Sequence, residues 1–482
     1  MAARGAAPFS ERTMTATTKL PSYGENARRY RRLRSYLDGL RADCGSEPLA
    51  WIALPTLAVL GRPRVLERHP PHRVPPQQIP ELREPRHGQA SPSWSIHGDC
   101  LFLASTVNQC RALEPVWGHF GSERTRDSVR IEPDAGRADE LAAGAEELAE
   151  RFIVAAKGEH FRLPLAPKRL YRQLFSCAHA FAHFEAALGA VAPSAAVVAT
   201  THSAHARALV LAAREAGIAT VYIPHAPVIS DARLVDLPVD YAGLRGPAEV
   251  DYYETLGAPR RRLAVAGNPA MGDKDPKRTK PRVREPVLAT GTDDPEALRA
   301  TIELAHSVLG KRCVLSPHPR TDHDELRELM PDGWRLWEGR TFDLLQQDPP
   351  ALVQSSSGVA LEGLKLGIPT IELAFPKVEP NYPFLRDPPV LFASDTQQLH
   401  AALRRARRLR RWPRRRKRLV KWSEKWVSAT GEEAARAAAD LLERAARTGP
   451  HPDGPIWDAW SSSAEPHLDR KPGARATPAG NR

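Results

Sequence analysis

The sequence predicts an α/β protein of two Rossmann-like domains facing across a cleft, with disordered tails. Three observations predict it. From residue 194 onward short apolar runs alternate with amphipathic stretches of helical period. Each run ends in a polar or proline-containing loop, and glycines stand where the helices should stop. Such alternation implies parallel strands joined by helical crossovers. A chain of 482 residues suits two or three domains, each large enough for its own core.

Taken in order, residues 1–25 lack apolar periodicity and are expected to form a flexible tail. The run 51–60 (WIALPTLAVL) is broken by Pro55 and fits a buried strand and its turn, and no run is expected to reach the roughly 18 apolar residues that span a bilayer. Residues 62–93 form a proline-rich loop, and apolar spacings of three and four predict helices over 138–157 and 167–188. Residues 195–199 (AAVVA) read as a strand, 204–216 as a helix closed by Gly217, and 219–223 (ATVYI) as the next strand. That strand stops at Pro224-His225-Ala226-Pro227, because proline donates no ladder hydrogen bond.

A second series begins after Gly267-Asn268-Pro269. Residues 286–289 predict a strand, with Asp294 as N-cap and Pro295 at the first helical position. Leu298, Ile302, Ala305 and Leu309 share one face of that helix, and Gly310 ends it. The strand 312–316 runs into Pro317-His318-Pro319-Arg320, and 351–354 runs into Ser355-Ser356-Ser357-Gly358. A helix over 359–366, Gly367 and a strand over 368–373 follow. The chain therefore divides into a Rossmann-like domain at 26–265, a second at 266–400, a basic helical segment at 401–444 and a disordered tail at 445–482.

Composition excludes several functions. The five cysteines, at 44, 100, 110, 177 and 313, contain no C-x-x-C pair, which points to a reducing compartment and away from a zinc knuckle. Neither G-x-x-x-x-G-K-S/T, G-x-G-x-x-G nor G-x-S-x-G occurs. With no secretory apolar region at the N-terminus, a cytoplasmic protein is expected. Residues 404–421 hold 12 Lys and Arg and no acid, which equals the net charge of +12 and leaves the remainder neutral. Nucleic-acid binding by the whole surface is thereby disfavoured. The basic segment from Arg404 to Lys421, with Trp412, Trp422 and Trp426, suits an anionic membrane surface, although a solvated face has the same composition.

In open α/β sheets ligands bind at the carboxyl ends of strands. Three polar clusters fall there: 200–205 with His225, then His318 with Arg320, then Ser355, Ser356 and Ser357 with Glu362. A turn of small hydroxyl residues ending in Gly358 and opening a helix favours a phosphate, and Glu362 one turn on could accept from ribose hydroxyls. An N-cap serine and a solvated glutamate fit the same residues. His318 projects from a strand end between prolines, where it could hydrogen-bond a leaving phosphate with Arg320. His225 lies correspondingly on the first half, where a neutral imidazole could take a proton from an attacking hydroxyl. His179 and His183, four apart, are assigned to the core, and Asp322-His323-Asp324 to helix capping.

The ordered set I-P-H-A-P (223–227), D-Y-A-G-L-R-G (240–246), G-N-P-A-M-G-D (267–273), S-P-H-P-R (316–320), Q-S-S-S-G-V-A-L-E-G (354–363) and L-G-I-P-T-I-E (366–372) resembles bacterial surface-polysaccharide transferases of GT-B fold. The groups concerned are the capsular polysialyltransferases and the CDP-glycerol glycerophosphotransferase-like enzymes. The resemblance implies an acceptor domain at 26–265 and a nucleotide-donor domain at 266–400. It also implies a nucleotide-sugar or polyol-phosphate donor, a polysaccharide or glycolipid acceptor, and no metal or other cofactor. His318, Arg320, Ser355, Ser356, Ser357 and Gly358 would hold the donor phosphate, Glu362 would meet the ribose and His225 would face the reacting centre. The chain has His225-Ala226 where such families often show His-Gly. A sugar-nucleotide 2-epimerase of the same architecture and a non-catalytic membrane-associated binding protein remain as alternatives.

Overall fold

The computed structural model describes residues 52, 62–63, 93–121, 123–125, 135–143, 145, 148–150, 161–162, 167–229, 237–272, 283–291, 295–318, 321, 323–355, 357–374, 382–386 and 389–456. The first tail, nearly all of the 51–60 run and 62–93 loop, and Asp294, Arg320, Asp322 and Ser356 lie outside these residues.

Strand β1 (Arg62–Pro63) forms a two-stranded antiparallel ribbon with β5 (Phe161–Arg162). The first large sheet begins upstream of the predicted series. Strands β2 (Ser93–His97) and β3 (Cys100–Ala104) form a hairpin turned by Gly98 and Asp99, with Gly98 at φ +58°, where glycine carries no steric penalty. Strand β4 (Glu123–Thr125) pairs with β2. Helices α1 (Val107–Trp117), α2 (Ala135–Ala143) and α3 (Pro167–Val191) precede β6 (Ala195–Val198). Helix α4 (Ala204–Glu215), β7 (Ala219–Tyr222), β8 (Tyr241–Leu244), α5 (Pro247–Thr255) and β9 (Leu263–Val265) complete this half. The sheet order is β4-β2-β3-β6-β7-β8-β9, parallel from β3 to β9.

The second sheet is wholly parallel, in the order β12-β11-β10-β13-β14-β15. Its strands are β10 (Val287–Ala289), β11 (Val314–Ser316), β12 (Arg335–Leu336), β13 (Leu352–Gln354), β14 (Thr370–Leu373) and β15 (Leu391–Ala393). The helices between them are α6 (Pro295–Leu309), α7 (His323–Leu329), α8 (Thr341–Leu345) and α9 (Val359–Lys365). Leu298, Ile302 and Ala305 are buried on the α6 face read from sequence, against Leu288, Leu315 and Val353. One sheet parallel from β3 to β9 and one wholly parallel sheet, each with helical crossovers, make two Rossmann-like halves.

Three helices close the chain: α10 (Thr396–Arg411), α11 (Pro413–Ser423) and α12 (Gly431–Thr448). Helices α10 and α11 stay with the second half, whereas α12 returns to the first and packs on α1 and β7. There Ala438, Leu441 and Leu442 join Phe102, Val197 and Val221 in one core. The return is seated by two glycines of the quoted motifs. A Cβ at Gly246 would lie 2.5 Å from the Trp426 carbonyl carbon, and one at Gly267 (φ +86°) would lie 2.6 Å from the Ala429 oxygen. Bare backbone allows Ala248 and Asn268 to donate to the Lys425 and Ala429 carbonyls at 2.8 and 2.9 Å.

The first twelve residues of the tail expected at 445–482 are ordered, and 457–482 lie outside the described residues. Helix α12 runs to Thr448, and residues 449–456 remain bound to the first half. His451 N–H donates to Asp240 Oδ1 at 3.1 Å, Tyr241 O–H donates to the Gly449 carbonyl at 3.2 Å, and Ile456 is buried. Repeated Ala, Gly and Pro concealed this packing, because small residues give little hydropathy contrast. The expectation that no stretch approaches membrane-spanning character also needs correction. Leu174–Val191 within α3 is long and apolar enough by composition, and half of it is buried inside the fold. It packs against α2 and α4, as a core helix of a layered domain does.

Candidate functional site

The loop after β7 is held rigidly. His225 N–H donates to the Ala199 carbonyl at 3.2 Å, and His225 Nδ1 lies 2.6 Å from the same oxygen. A carbonyl only accepts, so Nδ1 carries the proton and the basic lone pair is on Nε2. The 200–205 cluster is used differently: Ser203 caps α4 by accepting from Ala206 N–H at 3.2 Å, and Thr200 and Thr201 are buried.

Arg245, directly after β8, ties this loop to the interior. Its Nη2 donates to the His225 carbonyl at 2.8 Å. Its backbone N–H donates to Glu249 Oε2, and Val228 N–H donates to Glu249 Oε1, both at 2.9 Å. One buried carboxylate therefore clamps the loops after β7 and β8. Arg245 is 5% exposed, and its Nε has no hydrogen-bond partner among the described residues. Burial lowers the affinity of this guanidinium for its proton, and Glu249, Glu362, Tyr222 and Tyr382 oppose that shift. Burial likewise raises the Glu249 carboxyl, against the pull of Arg245.

In the second half, the register sets Ser316 and Gln354 level with Ala289, on either side of β10. His318 follows two residues past Ser316, and the seryl turn directly past Gln354. Two interstrand spacings put these strand ends about 10 Å apart. The His318 carbonyl accepts from Thr321 N–H at 2.9 Å. Ser316 Oγ is 2.9 Å from Thr341 Oγ1, and Thr290, at the end of β10, has a buried hydroxyl with no partner among the described residues.

The seryl turn differs from expectation in one respect that matters for chemistry. The amides of Ser357, Val359 and Ala360 are engaged within the turn. Ser357 N–H donates to Gln354 Oε1 at 2.6 Å, and Gln354 Nε2 is in turn held by Glu372. Val359 N–H reaches Ser357 Oγ at 3.4 Å, and Ala360 N–H reaches the Ser357 carbonyl at 3.3 Å. Ser355 is fully buried beneath the turn, and its Oγ has no partner among the described residues. The buried Gln354–Glu372 pair, two residues that sequence reading took only as strand, causes this closure. Ser356 and Arg320 lie outside the described residues.

The two halves meet here. A Cβ built on Gly358 would lie 3.0 Å from Pro227 Cδ and 3.8 Å from Tyr382 Oη, so the loop bearing His225 rests on the seryl turn. Glu362, about one-fifth exposed, faces Arg340 at 3.8 Å between Oε1 and Nη2. Burial raises its carboxyl, and Arg340 and Arg245 act against the rise. Arg340 also donates to the Ala270 carbonyl at 2.6 Å and lies 5.0 Å over the Phe342 ring. The structure thus brings His225, Ser357, Gly358 and Glu362 to one junction, with His318 at a neighbouring strand end. Arg245, Glu249, Arg340 and Tyr382 were missed. Only Arg245 had a signal, its place in the D-Y-A-G-L-R-G motif.

No family model and no curated protein matches the chain. Among solved structures it is similar to UDP-GlcNAc 2-epimerase from Neisseria meningitidis bound to UDP-GlcNAc, at 13% identity and a TM-score of 0.41 over 57% of this chain and 82% of that one. It is also similar to S. aureus MnaA in a co-structure with UDP, at 14% identity and a TM-score of 0.41 over 56% of this chain and 78% of that one. A third similar structure is the lipopolysaccharide outer core galactosyltransferase WaaB in its apo form, at 14% identity and a TM-score of 0.36 over 56% and 80% of the two chains.

Proposed function

We propose that the chain is a glycosyltransferase-like enzyme that transfers a sugar, or a polyol phosphate, from a nucleotide-activated donor to a surface polysaccharide or glycan. The observation that carries this reading is the contact of the His225 loop with the Gly358 turn, with the buried Arg245 guanidinium beside it. In sugar transfer the acceptor oxygen bonds to the anomeric carbon as the bond from that carbon to the phosphate oxygen breaks. The hydroxyl proton goes to His225 Nε2, and the electron pair leaves on the nucleotide phosphate. Polyol-phosphate transfer has the same plan, with attack at phosphorus. Because the Ser357 amide and those of Val359 and Ala360 are engaged, the leaving charge falls to guanidinium groups, Arg245 foremost, with His318 assisting; fixed cations stabilise it without reorganisation. Glu362 is retained as the ribose acceptor. No metal ion has a part in these steps, and the capsular polysialyltransferase and CDP-glycerol glycerophosphotransferase groups supply the substrate classes to try first.

A thermal-shift screen with CMP, CDP, UDP, GDP and their sugars tests the reading. A nucleotide at about 100 times its Kd adds about 2.7 kcal/mol of apparent stability. His318→Ala is expected to lower turnover at least about tenfold and to weaken donor binding, and unchanged turnover would remove His318 from the mechanism. Release of an epimerised sugar nucleotide without acceptor would instead identify a 2-epimerase. Absence of any nucleotide effect would leave a non-catalytic binding protein.

A further inference from the structure

The structure divides the twelve basic residues of 404–421 into two kinds. Arg410 and Arg416 turn back onto the fold: Arg416 Nη2 donates to Asp348 Oδ1 at 2.7 Å, and Arg410 Nη2 donates to the Asp348 carbonyl at 3.0 Å. The other ten are exposed, and none of them is held in an ion pair among the described residues. Their positions repeat. On α10 they are Arg404, Arg405, Arg407, Arg408 and Arg411, and on α11 they stand ten residues further on, at 414, 415, 417, 418 and 421. At 100° per residue each set falls within an arc of about 160°. The opposite faces are buried, through Leu399, Ala402 and Ala406 on α10 and Leu419 and Ser423 on α11.

Trp412 stands between the two stripes and is 60% exposed, whereas Trp426 is buried and Trp422 packs against the core. The Arg415 guanidinium lies 5.9 Å over the Trp412 ring. We propose that α10 and α11 form a docking surface for an anionic lipid membrane, with Trp412 at headgroup level between two cationic stripes. An indole is amphipathic and settles at the water–lipid boundary, while long cationic side chains beside it reach the headgroups. A single-stranded nucleic acid calls for several stacking platforms along a groove. Here a single exposed indole occupies the corner between two helices. The rest of the chain is neutral, so the positive field is one-sided and suits a planar anionic partner. None of these residues belongs to the cleft, so this surface stands independently of the transferase reading.

The test is co-sedimentation of the full chain with phosphatidylcholine vesicles with and without phosphatidylserine, at about 0.15 M salt. Binding is expected with phosphatidylserine only, and to weaken as salt rises. Each basic residue at the surface is worth about fivefold in partition, so a variant combining Arg404→Gln, Arg408→Gln, Arg414→Gln and Arg418→Gln should bind at least about 50-fold more weakly. The same four positions changed to lysine should retain binding, and Trp412→Ala should reduce it. An unchanged thermal unfolding midpoint shows that these variants keep the fold. Equal binding to neutral vesicles, full binding by the glutamine variant, or displacement from vesicles by single-stranded RNA at equal phosphate concentration would overturn the proposal.

Discussion

The loop after β7 and the loop after β13 occupy equivalent places, each at the carboxyl end of a parallel strand, and they use their polar groups in opposite ways. The first fixes its histidine by Nδ1, with an arginine donating to the same residue's carbonyl. The second commits the amides of Ser357, Val359 and Ala360 to local partners. Topological position brings a loop to the crevice, but local hydrogen bonding decides whether it offers donors or has used them. Helix α9, with seven residues, is too short for its dipole alone to compensate.

Removing the guanidinium between the two loops should have the largest effect. Arg245→Met leaves Glu249 buried without its charge partner and is expected to cost about 3 kcal/mol in urea unfolding. It should also abolish nucleotide-induced stabilisation. A variant of normal stability would show that the His225 loop does not depend on this clamp. A smaller effect is expected at the contact itself. Gly358→Val pushes a branched side chain into Pro227 and should cost about 2 kcal/mol, with a weakened nucleotide response. Wild-type behaviour would mean that the two loops part without penalty.

The smallest effect concerns Glu362 and is best measured as a pH dependence. Its carboxyl is raised in the folded protein, chiefly by burial, so the folded state binds this proton more tightly than the unfolded state. Its contribution to stability is present in full below the unfolded pKa and is lost as pH rises through the folded one. Glu362→Gln should therefore gain relative stability at neutral pH and lose that gain toward acid. Unfolding curves collected across this range check it, and the opposite trend would mean that Arg340 and Arg245 outweigh burial.

The second half was legible because its strands are short, apolar and bounded by caps and glycines: Gly310 and Gly367 follow α6 and α9 at φ +60° and +73°. The upstream hairpin carries a weak signal, Gly98-Asp99 between alternating runs, because Ser93, Ser95 and His97 dilute β2. Strands β8 and β9 carry no strand signal, since Tyr-Ala-Gly-Leu and Leu-Ala-Val are too brief to show a period. At the site, single residues such as His225 and Glu362 were readable, but their relations were not. The charge of Glu362 acts on Arg245 across more than a hundred residues of chain, and the engagement of the Ser357 amide depends on Gln354 and Glu372 from adjacent strands. No local spacing encodes either fact.

The homeward path of α12 means that the first half is not a contiguous stretch of polypeptide. Severing the chain between the two sheets would strip the leading one of a helix that fills its core, leaving Phe102, Val197 and Val221 facing water. The lobes are thus obligate companions, bound at the doubled crossing near Gly246 and Gly267, where two passes of main chain lie too close for any side chain to intervene.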